Sequence, residues 1–301
     1  MPRPSSLSRR SLFAAGAAVA AAGRAFARSQ QAPALPAKLG QTPHTRFAMN
    51  VEIWFGDKPL LDRVRAAADF GYPAIELWPW RGKDRDMGQL GKLCSELHLE
   101  IAQFTAWGFE PGMNDPKNHD AVEKEIRESC KVANDLGCKA MTVVGGNDQP
   151  GMTRDQMHAN ITTALKRVAP IAEEHKVTLL LEPMNIRVDH KGHCLYGSEA
   201  GVKITRAVGS PFVKLNWDLY HAQLAEGDLC GHLKDGFDQL GYAQVADTPG
   251  RNEPGTGEVH YARVLRQLHE LGYRGFVGLE CWPSAGERLA AERVFAADSW
   301  S

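Results

Sequence analysis

The 301-residue sequence predicts a single-domain α/β fold, a (β/α)8 barrel, and three features of it lead there. Eight short apolar or alternating runs recur along the chain, each of strand length. Longer segments with apolar residues at helical spacing separate them. The first run is not followed by the glycine-rich phosphate loop that a doubly wound nucleotide-binding sheet requires. Eight such repeats over roughly 235 residues match the span of a barrel.

In order, the strand candidates are Phe47–Val51, Ala74–Leu77, Glu100–Thr105, Ala140–Val144, Thr178–Leu181, Val213–Trp217, Tyr242–Val245 and Phe276–Leu279. Between them, Leu60, Leu61, Val64, Ala67 and Ala68 form one helical stripe, and Val122, Ile126 and Cys130 a second. Ile161, Leu165, Val168, Ile171 and Ala172 form a third, and Tyr261, Val264, Leu265 and Leu268 a fourth. Gly71, Gly137, Gly241 and Gly272 each stand just before a strand and are expected to end helices in the left-handed conformation. The pair Gly145-Gly146 lacks dinucleotide-binding spacing.

Composition is that of an ordinary globular chain, 43% hydrophobic and 24% charged, with a net charge of −1. Such balance offers no electrostatic basis for binding nucleic acid or an anionic membrane. At the N-terminus, Ser8-Arg9-Arg10-Ser11-Leu12-Phe13 opens a run of Ala, Gly and Val that closes on Ala25-Phe26-Ala27. The paired arginines and the small residues resemble a twin-arginine export signal. Residues 1–27 are therefore expected to be removed on export to the periplasm, leaving no stable membrane association. The short apolar region and Arg24 at its end argue against an uncleaved anchor. Residues 28–45, rich in Gln, Ala and Pro, read as a linker, and residues 46–301 as the barrel. Six scattered cysteines show no CxxC and no close metal spacing, so they read as core or incidental residues.

The stretch "VKLNWDLYH" (213–221) raises the functional question, because a strand runs straight into Asp218 and then His221. Asp218 can cap a following helix. It can also belong to a site, since a barrel displays its chemistry at the C-terminal ends of its strands. Strand five ends "LLLEPMN" with Glu182, strand seven "YAQVAD" holds Gln244, and strand eight ends "VGLECWP" with Glu280. Carboxylates crowded on one rim raise one another's pKa, and a divalent cation removes that penalty. An all-oxygen set of Glu182, Asp218, Gln244 and Glu280 suits a hard ion, with Mg²⁺ or Mn²⁺ preferred over Zn²⁺. Glu76, ending strand two in "AIELWPW", faces the same mouth and is expected to contact substrate. Trp54, Trp78, Trp80 and Trp107 follow the first three strands as packing or pocket wall.

The segments "LLLEPMN", "NWDLYHAQLAEGDL", "AQVADTPGRNEPGTGE" and "FVGLECWP" resemble the signature segments of the hydroxypyruvate isomerase family. That family belongs to the xylose-isomerase-like barrels, which include ketose 3-epimerases. The likeness runs from about Phe47 to Pro283 and is most specific over Ala246–Glu258. It implies that Glu182, Asp218, Gln244 and Glu280 hold the metal and that Glu182 and Glu280 are the proton donor and acceptor. It also implies that His221 and Arg251 hold substrate oxygens. The implied activity is metal-dependent interconversion of hydroxypyruvate and tartronate semialdehyde (2-hydroxy-3-oxopropanoate) through an enediolate. The alternative is a ketose 3-epimerase, or an isomerase of a sugar or inositol derivative. A small hydroxy-carbonyl substrate is the expected partner, nucleic acid is not, and the chain is compatible with a homo-oligomer. A zinc endonuclease on this barrel would need histidines at the rim where acids stand, and a sugar-binding protein without catalysis would not need both glutamates. Asp247 and Glu258 are expected to order the loop after strand seven.

Overall fold

In a computed structural model of the chain, which describes residues 36–301 apart from residue 84, the eight expected strands form one closed barrel. They are β1 (Arg46–Asn50), β2 (Ala74–Pro79), β3 (Glu100–Trp107), β4 (Ala140–Val144), β5 (Thr178–Glu182), β6 (Val213–Asp218), β7 (Leu240–Gln244) and β8 (Phe276–Leu279). All neighbours pair in parallel and in chain order, and β1 closes on β8 through pairs such as Met49 with Leu279. Strands covered on both faces carry nearly continuous apolar runs, and Leu179, Leu180 and Leu181 of β5 are all fully buried.

The crossovers hold α1 (Leu60–Phe70), α2 (Met87–Glu96), α3 (His119–Asp135), α4 (Arg154–His175), α5 (Ser198–Val208), α6 (Leu219–Ala225), α7 (Leu229–Gly236) and α8 (Tyr261–Glu270). A ninth helix among the described residues, α9 (Glu287–Ala297), follows β8. Helix α4 starts on a capping box, in which Thr153 and Gln156 satisfy each other's backbone N–H groups. Gly71 ends α1 with φ of 84°, a conformation glycine adopts without a Cβ clash. Gly241 does not act this way. It lies inside β7, where a Cβ would come within 2.6 Å of Lys214 Cβ and Leu180 Cδ2, so it serves close strand packing instead.

The expected signal segment lies outside the described residues. Of the expected linker, residues 36–45 are described and lie against the barrel. Leu39 is buried, and Gly40 donates its N–H to the Phe70 carbonyl at 2.8 Å. Asp298, just past α9, accepts from the His44 and Thr45 N–H groups at 2.8 and 2.9 Å and from the Thr45 hydroxyl at 2.5 Å. One buried carboxylate thus ties the start of β1 to the C-terminus. Asp298→Ala should strip three donors of their acceptor and cost about 1–3 kcal/mol. Thermal unfolding should show the midpoint falling by several degrees, and an unchanged midpoint would contradict this role. All six cysteines are free thiols, five of them buried. Among the described residues no helix is long and apolar enough to cross a membrane.

Candidate active site

A cavity of about 440 Å³ opens at the C-terminal ends of the strands, and Glu182, His221, Gln244, Arg251, Glu280 and Trp78 are in its wall. Glu182 and Asp218 are the last residues of β5 and β6, and Glu280 directly follows β8. All three carboxylates are buried. Parallel strands that end at one level bring side chains distant in sequence to one place, which is why these acids meet.

Asp218 fills both roles that its position suggests. Its Oδ1 caps α6, accepting from the Tyr220 N–H at 2.8 Å and the His221 N–H at 3.4 Å. Its Oδ2 points to residues of the cavity wall, 3.1 Å from Arg251 Nη2 and 3.4 Å from His221 Nε2. Glu182 Oε1 is 3.9 Å from the same imidazole nitrogen. Glu280 Oε1 accepts from the Trp78 indole N–H at 2.7 Å. Its Oε2 lies 3.0 Å from Arg251 Nη2, but the angle makes no hydrogen bond and the atom is buried without a partner.

One guanidinium thus faces three carboxylates, and burial with mutual repulsion shows in their acidity. Burial, then the charges of Glu280 and Asp218, holds the Glu182 carboxyl well above the usual range. Burial lifts Glu280 to about 7, although Arg251 opposes the shift. Asp218 is raised by burial and restrained by Arg251 and its two backbone donors. Burial pulls the Arg251 pKa down, but the charges of Glu280, Asp218 and Glu182 outweigh it and hold the guanidinium above its ordinary range, so it stays charged.

Arg251 is placed by the loop after β7. Asp247 accepts from the N–H groups of Thr248, Gly255, Gly257 and Val259 at 2.8–3.0 Å, folding that loop around one carboxylate. Gly257 is needed there, because a Cβ would sit 2.2 Å from the Thr248 carbonyl oxygen. Arg251 itself has φ of 55°, which a non-glycine residue adopts at a cost. Glu258, expected to share in ordering the loop, instead accepts from Gln223 at 3.3 Å on the exterior.

The protonation pattern of His221 follows from a neighbour. Asn185 Oδ1 accepts from the Val188 and Asp189 N–H groups, and its Nδ2 donates to Asp189 Oδ2 at 2.7 Å. The amide is therefore fixed with Nδ2 toward His221 Nδ1, at 2.7 Å. That ring nitrogen must accept, so the neutral imidazole carries its proton on Nε2, the atom facing Asp218 and Glu182. Burial, then Arg251, keeps the ring neutral, well below its ordinary pKa. His221 is thus a hydrogen-bond donor into the cavity.

Two expected site residues are placed differently. Glu76 does not line the cavity. It sits beneath it, fully buried, where its carboxylate accepts from Asn50 at 3.0 Å, Gln103 at 3.2 Å, Tyr242 at 2.8 Å and Gln244 at 3.1 Å. A Cβ on Gly278 would lie 2.3 Å from that carboxylate, so the glycine makes its seat. With its lone pairs engaged by four side chains, Glu76 organises the floor beneath the cavity. Gln244 is in the wall, but its Oε1 already accepts from Asn216 at 2.6 Å and its Nε2 donates to Glu76. The four expected ligands are therefore not one free set. Gln103, Thr142 and Asn216, which the sequence reading passed over, form the rest of the floor. Their signal was a polar residue inside an otherwise apolar strand. Of the tryptophans, Trp78 is in the cavity wall, Trp54 and Trp107 are buried in the core, and Trp80 donates to Ser129 at 2.8 Å.

The residues fit a divalent cation. Glu182, Asp218 and His221 offer atoms within 4.8 Å of one another, and Glu280 Oε2 is buried without a hydrogen bond, 3.0 Å from an Arg251 Nη2 that it shares with Asp218. Three acids against one guanidinium leave negative charge that a cation would balance. With Nε2 of His221 protonated, the carboxylates of Glu182, Asp218 and Glu280 are the ligands this geometry favours, and Gln244 Oε1 retains a second lone pair.

Comparison with known proteins agrees with this architecture. A model of the xylose isomerase-like TIM barrel family matches residues 64–297. Hydroxypyruvate isomerase of Escherichia coli (strain K12) is 30% identical over 245 residues, covering 79% of this chain and 93% of that one. A 2-oxo-tetronate isomerase of Cupriavidus necator is 31% identical over 248 residues, covering 80% and 94%. Among solved structures, an AP endonuclease, family 2, from Brucella melitensis superposes with a TM-score of 0.75 at 25% identity, over 85% of this chain and 97% of that one. The chain belongs to the xylose isomerase-like TIM barrel family and is an isomerase of it.

Proposed function

We propose that this barrel isomerase interconverts hydroxypyruvate and tartronate semialdehyde, with Glu182 and Glu280 moving the proton. The observation that supports it most is a pair of buried carboxyls of raised pKa sharing one cavity with a charged guanidinium and a neutral imidazole donor. A glutamate with a pKa near neutrality can both take and return a proton, the property a shuttle between C3 and C2 requires. Proton removal beside the carbonyl leaves an enediolate. The Nε2–H of His221 can donate to one of its oxygens. Arg251 matches the substrate carboxylate, since its planar fork can donate two parallel hydrogen bonds to such a group. Trp78 holds Glu280 by one oxygen and leaves the other beside Arg251 without a hydrogen bond.

Glu182, Asp218 and Glu280 would hold the divalent ion, with Gln244 beside them. Mg²⁺ or Mn²⁺ there would supply positive charge to the enediolate oxygens. A larger ketose, as the 3-epimerase or inositol-derivative reading requires, is compatible with the cavity volume of about 440 Å³.

The test is metal depletion. Protein stripped with a chelator should lose activity on hydroxypyruvate and regain it with Mg²⁺ or Mn²⁺, followed by the aldehyde product. Full activity after exhaustive chelation would contradict a metal role, and no turnover under any metal would contradict the substrate.

A further inference from the structure

Turning a hydroxy ketone into a hydroxy aldehyde moves two protons. One goes from C3 to C2, and the other from the C3 hydroxyl to the C2 oxygen. Inverting a single carbon moves a carbon proton alone. The cavity wall holds five titratable side chains, Glu182, His190, His221, Arg251 and Glu280. The two glutamates are assigned to the carbon proton, and Arg251 has no acceptor atom. His221 is not free to carry the second proton either. Its Nδ1 is taken by Asn185 at 2.7 Å. Stripped of the Nε2 proton, the ring would turn a negative charge on Asp218 Oδ2 at 3.4 Å and Glu182 Oε1 at 3.9 Å.

His190 is left. Its backbone N–H donates to the Asn185 carbonyl at 3.2 Å, and its carbonyl accepts from the His193 N–H at 3.0 Å. The ring is held between two others. It stacks on Phe109 with centroids 4.8 Å apart, and it meets His221 edge-on at 5.2 Å. His190 is half-buried, and among the described residues neither ring nitrogen has a hydrogen-bond partner or is sealed from solvent. Burial, then the charge of Arg251, lowers its pKa, so the ring is neutral and one nitrogen is bare.

We propose that His190 relays the hydroxyl proton, taking it from the C3 oxygen and returning it to the C2 oxygen. The relay rests on the isomerase reading above. After a glutamate has broken the C3–H bond, the bare nitrogen of His190 takes the proton of the C3 hydroxyl. The imidazolium so formed gives that proton to the C2 oxygen, where a new O–H bond forms. The electron pair left on the C3 oxygen then makes the C3=O bond, while the C=C pair takes the glutamate's proton at C2. C3 is oxidised and C2 is reduced by the same electron pair, and both side chains end as they began. A ring fixed on Phe109 with unengaged nitrogens suits this role, and the committed ring of His221 suits donation alone.

The test follows hydroxypyruvate in D₂O by NMR with Mg²⁺ or Mn²⁺ present, reading loss of the C3 proton signal beside formation of the aldehyde. His190→Phe keeps a ring to stack on Phe109 and removes both nitrogens. In this variant C3 exchange should continue near the wild-type rate, while aldehyde formation falls by about 10²-fold. In His190→Ala, added imidazole should restore aldehyde formation and leave exchange unchanged, and this arm decides if His190→Phe does not fold. An equal fall in both readouts overturns the relay, since lost packing would act on both. Aldehyde formation at the wild-type rate in either variant also overturns it, as does no gain from imidazole in folded His190→Ala. These results leave the isomerase reading standing. Neither exchange nor aldehyde with the wild-type protein removes that reading, and the relay falls with it.

Discussion

Glu280→Gln should lower turnover by on the order of 10²-fold or more while leaving the fold intact, because general acid–base function is lost and shape is kept. The amide can still accept from the Trp78 indole through its oxygen, so the side chain need not move. What disappears is a carboxyl that burial lifts to about 7, with one oxygen 3.0 Å from Arg251. Glu182→Gln should lose a similar factor, since burial and its acidic neighbours tune that carboxyl in the same direction. The measurement is kcat for both variants beside circular dichroism and thermal midpoints. A near wild-type rate in either variant would remove that residue from proton transfer.

Arg251→Ala should raise KM more than it lowers kcat, as loss of binding common to ground and transition states does. It should also change the stability of the metal-free protein. The guanidinium is the cation placed among Asp218, Glu280 and Glu182, and removing one partner of a buried charge network costs about 3–5 kcal/mol. The pH dependence has a definite sign. Burial puts the folded-state pKa of Glu280 at about 7, above its value near 4.5 in the unfolded chain. A group raised in this way favours the folded state while protonated, and that stability is lost as pH rises through about 7. Without Arg251 the carboxylates have no counter-charge, so the loss between about pH 4.5 and 7 should be steeper than in the wild type. Added Mg²⁺ or Mn²⁺ should recover most of it above neutrality. Thermal midpoints of metal-free wild type and variant across this range check the claim, and parallel profiles would contradict it.

The strand ends were legible because a strand buried on both faces shows as an apolar run that stops at a polar residue. TLLLE closing on Glu182 and the run that ends at Glu280 have that form, and so does VKLNWD. The floor was harder to read. Gln103, Thr142 and Asn216 are single polar residues within apolar strands, and only the closed barrel shows that they meet. A clue was available in β6, where Asn216 stands two residues before Asp218 and so on the same face. Glu76 has the same strand-end look as Glu182, but the donors of Asn50, Tyr242 and Gln244 draw it below the cavity. Gln244 is expected as a ligand from its place at the end of β7; its side chain is in the cavity wall, while its carbonyl is engaged by a residue on the neighbouring strand. The tautomer of His221 depends on Asn185, 36 residues earlier, and the aim of Arg251 on four backbone bonds to Asp247. Contacts of that range leave no periodic mark in a sequence.

The account stands on one claim, that the two glutamates move a proton between adjacent carbons of a small hydroxy-carbonyl compound. Proton exchange measures this without depending on which product accumulates. Hydroxypyruvate is incubated in D₂O with the protein and Mg²⁺ or Mn²⁺, and its C3 proton signal is followed by NMR. The account predicts that the signal decays with the wild-type protein and persists with Glu182→Gln or Glu280→Gln. Exchange into a ketohexose but not into hydroxypyruvate would keep the proton transfer and move the reaction to the epimerase reading. Absence of exchange into either compound, with a folded and metal-loaded protein, would contradict the account.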